Sequence, residues 1–138
     1  MSTAKAKGIS TDVELAVALE VAATRLERAE QLGGMADALA FNRELWRVVG
    51  YLASESLVVR QREELQAQAV AVAEGRCSDF LVINRRFAGL FAAQSAAYGA
   101  MSVTLNDWRV YRRAHAKAEF SQWLLTRLDA RIVHAQAA

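Results

Sequence analysis

The side chains able to do acid–base, nucleophilic or metal chemistry are few in this 138-residue chain: two His, one Cys and 15 acids. His115 and Glu119 stand four apart on one helix face, a spacing that can offer two metal ligands. No second pair completes such a site, and a solvated surface couple is the simpler reading. Cys77 follows Arg76 near a predicted helix start, where a thiol pKa can fall. One cysteine cannot form a disulfide framework, and this one reads as an incidental thiol. Glu63 and Glu64 open a predicted helix, where its dipole favours anions, and the paired carboxylates all read as solvated helix-face charges. No glycine-rich phosphate loop or Gly-x-Ser-x-Gly elbow occurs. The chain therefore reads as non-enzymatic, with no cofactor and no metal centre.

Residues suited to binding are more informative. Asn42-Arg43-Glu44-Leu45-Trp46 and Ile83-Asn84-Arg85-Arg86-Phe87-Ala88-Gly89-Leu90 each set an Asn beside an apolar stripe and an Arg straight after it. A buried Asn must find partners for its amide. The two can bond each other or a neighbouring helix's carbonyl. Alternatively, they form a polar spot in an apolar groove that fixes the register of an incoming helix. Candidate partner-binding residues here are Asn42, Arg43, Trp46, Asn84 and Arg85. A second set lies near the C-terminus. Arg109, Arg113 and Lys117 line up at i, i+4 and i+8, with Arg112 beside them and Trp108, Tyr111, Phe120 and Trp123 nearby. Trp108, Arg109, Tyr111 and Arg113 are its candidate contacts. Bases interleaved with aromatics can hold RNA by phosphate contact and stacking. They equally describe a helix with buried aromatics and a wet Arg face. The stretch around Gly75 faintly suggests helix-turn-helix, but Phe80, Leu81 and Ile83 crowd the place where a recognition helix exposes polar groups.

Helices must position these residues. The chain has no proline, so glycines, caps and loss of pattern mark the boundaries. Thr11-Asp12-Val13-Glu14 reads as a capping box in which the Glu14 carboxylate reaches back to the helix start. The helix it opens puts Leu15, Leu19, Ala22, Leu26 and Ala29 on one face and stops at Gly33-Gly34. A competing strand signal, the alternation of Val13, Leu15, Val17, Leu19 and Val21, yields to length and the capping box. A second helix runs from about Met35 to about Ser54. Phe41, Leu45, Val48 and Leu52 share one face, with Leu39, Trp46 and Val49 adjacent. Such a wide apolar arc implies a central helix contacted from two sides. Gly50 weakens it by roughly 1 kcal/mol relative to Ala and allows close packing. A third, peripheral helix runs from about Arg60 to Glu74 through Leu65, Ala69 and Val72. Ser78 caps a fourth, with Phe80, Ile83, Phe87, Leu90 and Phe91 as its stripe. Residues 94–103 read as a break. A second capping box at Thr104 opens a last helix to about His134, with Trp108, Tyr111, Ala114, Ala118, Leu125, Leu128 and Ile132 on its face.

These elements make an all-α fold, a small bundle of about five helices. Residues 1–10 read as a disordered tail, 11–93 as a helical core, and 94–138 as an amphipathic extension packed on the core or on a partner. The hydrophobic share is 54%, yet mean hydropathy is only +0.07 because much of that share is alanine. This excludes disorder over most of the length. No window reaches the roughly 20 apolar residues that span a bilayer, and no signal peptide is evident, so a soluble cytoplasmic protein is expected. Net charge is +2, distributed as +2 over residues 1–8, −3 over 9–103 and +3 over 104–138. The basic excess thus sits at the two ends.

Between about Thr11 and Leu90 the chain resembles the FlaF family, flagellar biosynthesis regulators of alphaproteobacteria. The likeness rests on an amphipathic, charge-rich opening helix, then Ala40-Phe41-Asn42-Arg43-Glu44-Leu45-Trp46 with Leu52-Ala53, then Ile83-Asn84 and Gly89-Leu90. Asn42, Arg43, Leu45, Trp46, Ile83, Asn84 and Leu90 match the motif positions. The chain differs in an Ala- and Gln-rich third helix without an aromatic, in lacking proline after Ala53, and in everything beyond Leu90. The resemblance implies a small helical, non-enzymatic protein needed for flagellin production, which binds flagellin as a chaperone and acts alongside a FlbT-like regulator. The alternative is a nucleic-acid-binding regulator of flagellin mRNA or DNA using the basic C-terminal helix. A homo-oligomer pairing its last helix is a third reading.

Overall fold

The computed structural model describes residues 11–52, 57–76, 79–96 and 118–137. They form five helices and no strand: α1 (Thr11–Leu32), α2 (Met35–Leu52), α3 (Val59–Ala73), α4 (Phe80–Ala96) and α5 (Ala118–Ala137). The fold is a small all-α bundle. The expected tail, the residues between Leu52 and Leu57, the Cys77-Ser78 start of the fourth helix and the Thr104 capping box lie outside the described residues. None of the described helices is long and apolar enough to cross a membrane.

α2 is contacted by α1, α3 and α5, as its wide apolar arc implies, and α1 is enclosed further still. Every residue from Val13 to Thr24 is buried, and α2, α4 and α5 all pack on this helix. A helix enclosed on several sides is apolar all round. That explains the strand-like alternation of Val13 to Val21: both sides of the alternation are inside. Ala16, Ala18, Ala22 and Ala23 keep the backbone narrow enough for three neighbours to approach.

Gly33 and Gly34 close the turn to α2 with φ of 89° and 87°, a left-handed region that glycine enters without penalty. The Gly33 N–H donates to Ala29 O at 3.0 Å. On α2, Phe41, Leu45, Trp46, Val48 and Val49 are buried, but Leu39 is exposed. The helix is described to Leu52, and its expected end near Ser54 lies outside the described residues. Beside Gly50 the neighbouring helix comes close: a Cβ there would lie 3.2 Å from Ala69 Cβ of α3. The Gln66 amide donates to Gly50 O at 2.7 Å across the same contact.

α3 is peripheral, with only Leu65 and Val72 buried. It ends in a Schellman motif. Arg76 N–H donates to Ala71 O at 2.8 Å, and Gly75 N–H to Val72 O at 3.1 Å. Gly75 takes a φ of 72°, as the motif requires. α4 continues to Ala96, past the break expected from Gln94, and buries Asn84, Phe87, Ala88 and Phe91. α5 presents Leu124, Leu125, Leu128 and Ile132 to the same core. Leu124 was not on the expected face.

Candidate functional site

Asn42 and Asn84 are brought together by the packing of α2, α1 and α4. Asn84 Nδ2 donates to Asn42 Oδ1 at 2.7 Å and makes a longer contact of 3.5 Å with Leu19 O on α1. Trp46 Nε1 donates to Asn84 Oδ1 at 2.9 Å. The Trp46 ring meets Phe87 edge-on, with centroids 5.7 Å apart and planes at 87°. Asn42, Trp46 and Asn84 are each exposed by 1% or less. Both structural arrangements the sequence leaves open for this pair are observed, mutual bonding at short distance and the neighbouring helix's carbonyl at longer distance. An incoming helix cannot reach these three residues without first lifting α2 or α4.

Charged pairs surround this junction. Arg85 Nη2 lies 3.3 Å from Glu27 Oε1, and Arg85 Nε lies 3.8 Å from Glu20 Oε1. Arg86 pairs with Glu64 of α3 at 2.9 Å and covers the Phe87 ring. A recognition-helix reading needs Arg85 and Arg86 free for phosphates, yet both are engaged within the bundle. Arg43 is exposed on α2. Arg25 stacks over Phe41 at 5.3 Å. Burial holds its guanidinium below the ordinary arginine value, partly offset by Asp37. Arg25, Arg28, Asp37 and the two turn glycines line a shallow cleft of about 220 Å³ at the α1–α2 turn. No cluster of three or more His, Cys, Asp or Glu capable of holding a metal occurs among the described residues.

Trp108, Arg109, Tyr111, Arg112, Arg113, His115 and Lys117 lie outside the described residues. Further along the same stretch, Trp123 is 50% exposed and stacks with the Arg127 guanidinium at 5.0 Å.

Sequence reasoning missed a second charged centre. Glu14 is 3% exposed, and its two carboxylate oxygens take Arg127 Nε and Arg131 Nε, each at 2.5 Å. The expected capping-box role for this carboxylate gives way to a tie between α1 and α5. The paired carboxylates Glu63 and Glu64 are exposed, as expected, whereas the isolated acids Glu14 and Glu20 are both buried. A fork of guanidinium donors is the natural partner for a desolvated carboxylate. Arg47 adds a surface tie from α2 to α5 through Asp129 at 3.1 Å. Its hydrogen bond with Glu44, followed by the Asp129 contact, raises its pKa above the ordinary arginine value. The available signals were Glu14 standing inside an otherwise apolar run and Arg127 and Arg131 standing one turn apart beside Leu124, Leu128 and Ile132.

Comparison with family models, curated proteins and solved structures gives no match.

Proposed function

We propose that this chain is a FlaF-like, non-enzymatic flagellar biosynthesis protein of the cytoplasm that binds flagellin as a chaperone and so promotes its synthesis or secretion. One observation supports this reading above the others. The two segments that carry the FlaF resemblance, around Asn42-Trp46 and Ile83-Asn84, meet in space as a single hydrogen-bonded junction. Motif residues that depend on each other physically are what a shared fold requires. A bundle of this kind also offers helix-in-groove recognition, suited to the amphipathic terminal helices of monomeric flagellin, which must be kept from self-association. A FlbT-like regulator is the second partner on this reading.

The test mixes the purified chain with monomeric flagellin. Co-elution on size exclusion and a saturable calorimetric heat are expected. Separate elution together with no heat overturns the proposal.

A further inference from the structure

The geometry points to α5 as the resident occupant of a helix-binding groove between α1 and α2, whose external ligand is an amphipathic helix carrying two basic residues one turn apart. The groove is read from what α5 inserts into it. Leu124, Leu125, Leu128 and Ile132 enter the main core, while Arg127 and Arg131 flank that stripe and close on Glu14. Asp129 meets Arg47 on the other side. The seat therefore has an apolar floor, an acid on the α1 wall and a base on the α2 wall.

Glu14 makes this seat selective. Both cations recorded on its carboxylate come from α5, and the residue is almost wholly buried. When α5 lifts, a carboxylate that was desolvated and doubly paired loses both partners. An apolar helix laid in its place would strand that charge, which is strongly unfavourable. A helix with Arg or Lys at the two positions re-forms the pairs and is accepted, so the discrimination works by rejecting helices without them. The pattern to be matched is the one α5 itself carries from Leu124 to Ile132: apolar at 124, 125, 128 and 132, basic at 127 and 131, acidic at 129. The seat's other attachment, the Arg47–Asp129 pair, is half exposed on both sides and adds little to retention. This inference specifies the partner helix of the flagellar reading and rests on that reading only for a helical partner existing.

The test uses the full-length chain, with a fluorescein-labelled peptide of residues 118–137 as probe. In the unmodified chain the resident α5 competes, and the peptide binds weakly. Arg127→Glu combined with Arg131→Glu repels the resident helix from Glu14 and frees the seat. Fluorescence anisotropy should then show the peptide binding at least about tenfold more tightly, less than the full penalty of a stranded buried charge. The same peptide with both arginines changed to glutamate should not bind this variant, and should bind a chain carrying Glu14→Arg. Equal affinity for the two peptides overturns the inference, as does no gain over the unmodified chain. A double variant that loses its helical circular dichroism also overturns it, because a displaceable helix must leave a folded remainder. A doubled mass of the unmodified chain that excludes the peptide would assign the seat to a second copy and overturn the external ligand. Since the probe is the chain's own helix, failure here and failure to bind flagellin are separate results.

Discussion

Trp46 on α2 donates its indole N–H to the Asn84 side-chain oxygen on α4 at 2.9 Å, across 38 positions of sequence and with both residues fully buried. The same Asn84 amide donates to Asn42, so one side chain satisfies two groups on a neighbouring helix. Buried polar groups of this kind contribute modestly when paired and are expensive when orphaned. The junction therefore dictates which way α4 sits on the bundle more than it adds raw stability.

Asn84→Ala leaves the Trp46 N–H and the Asn42 carbonyl without this partner and opens a small cavity. A loss of about 3 kcal/mol is expected from two stranded groups. Urea denaturation followed by circular dichroism measures it. Asn42→Ala strands only one Asn84 donor, and should lose about half as much. Because the two share one bond, the double variant should lose clearly less than the two single losses added together. Strict additivity would show that the bond contributes nothing.

Glu14→Ala removes the acid that Arg127 and Arg131 share. The two guanidinium groups are 40% and 31% exposed, so water recovers part of their solvation. A loss of about 2 kcal/mol is expected, below the figure for stranding a fully buried charge. Arg127→Ala alone should be milder than the Arg127→Ala, Arg131→Ala pair, since Arg131 still holds the carboxylate. By contrast Arg47→Ala, which breaks surface pairs with Glu44 and Asp129 that are about half exposed, should change stability by less than about 1 kcal/mol, an effect that fades with salt. Thermal melts at low and high salt separate the two cases.

How much of this was legible in the sequence follows from the physics of each signal. The Asn42–Asn84 pairing was legible because an amide beside an apolar stripe must find a partner, and only a few arrangements supply one. The Gly33-Gly34 stop was legible because left-handed backbone has a residue signature. The centrality of α1 was not. Periodicity reports a wet face, and a helix enclosed on several sides has almost none to report. The Glu14 tie was hidden for a different reason. Thr11 and Glu14 match a local capping pattern, whereas the arginines that engage Glu14 stand 113 and 117 positions away. Local patterns outcompete distant partners whenever sequence is read in windows.

Gly75→Ala isolates backbone strain. The residue has a φ of 72°, and nothing lies within 4 Å of an added Cβ. Only the left-handed conformation opposes the change, so a loss of about 1 kcal/mol is expected. Gly75→Asn should recover part of it, since Asn tolerates this region better. Equal loss in both variants would point to something other than backbone geometry.

Gly50 presents the opposite case, a glycine kept for space. Its backbone is helical, and Ala there would improve helix propensity by about 1 kcal/mol. The added Cβ would sit 3.2 Å from Ala69 Cβ, so α3 must yield by a few tenths of an ångström. The two effects nearly cancel, and Gly50→Ala should leave the melting temperature almost unchanged. Gly50→Leu cannot be absorbed in the same way. It forces α3 outward, strains the Gln66 bond to Gly50 O, and should cost about 2 kcal/mol through overpacking. Ala69→Gly in the same chain removes the opposing methyl and should return part of that loss. If Gly50→Leu is as stable as the unmodified chain, α3 is not held against α2 at this point, and the close approach is not what keeps Gly50 small.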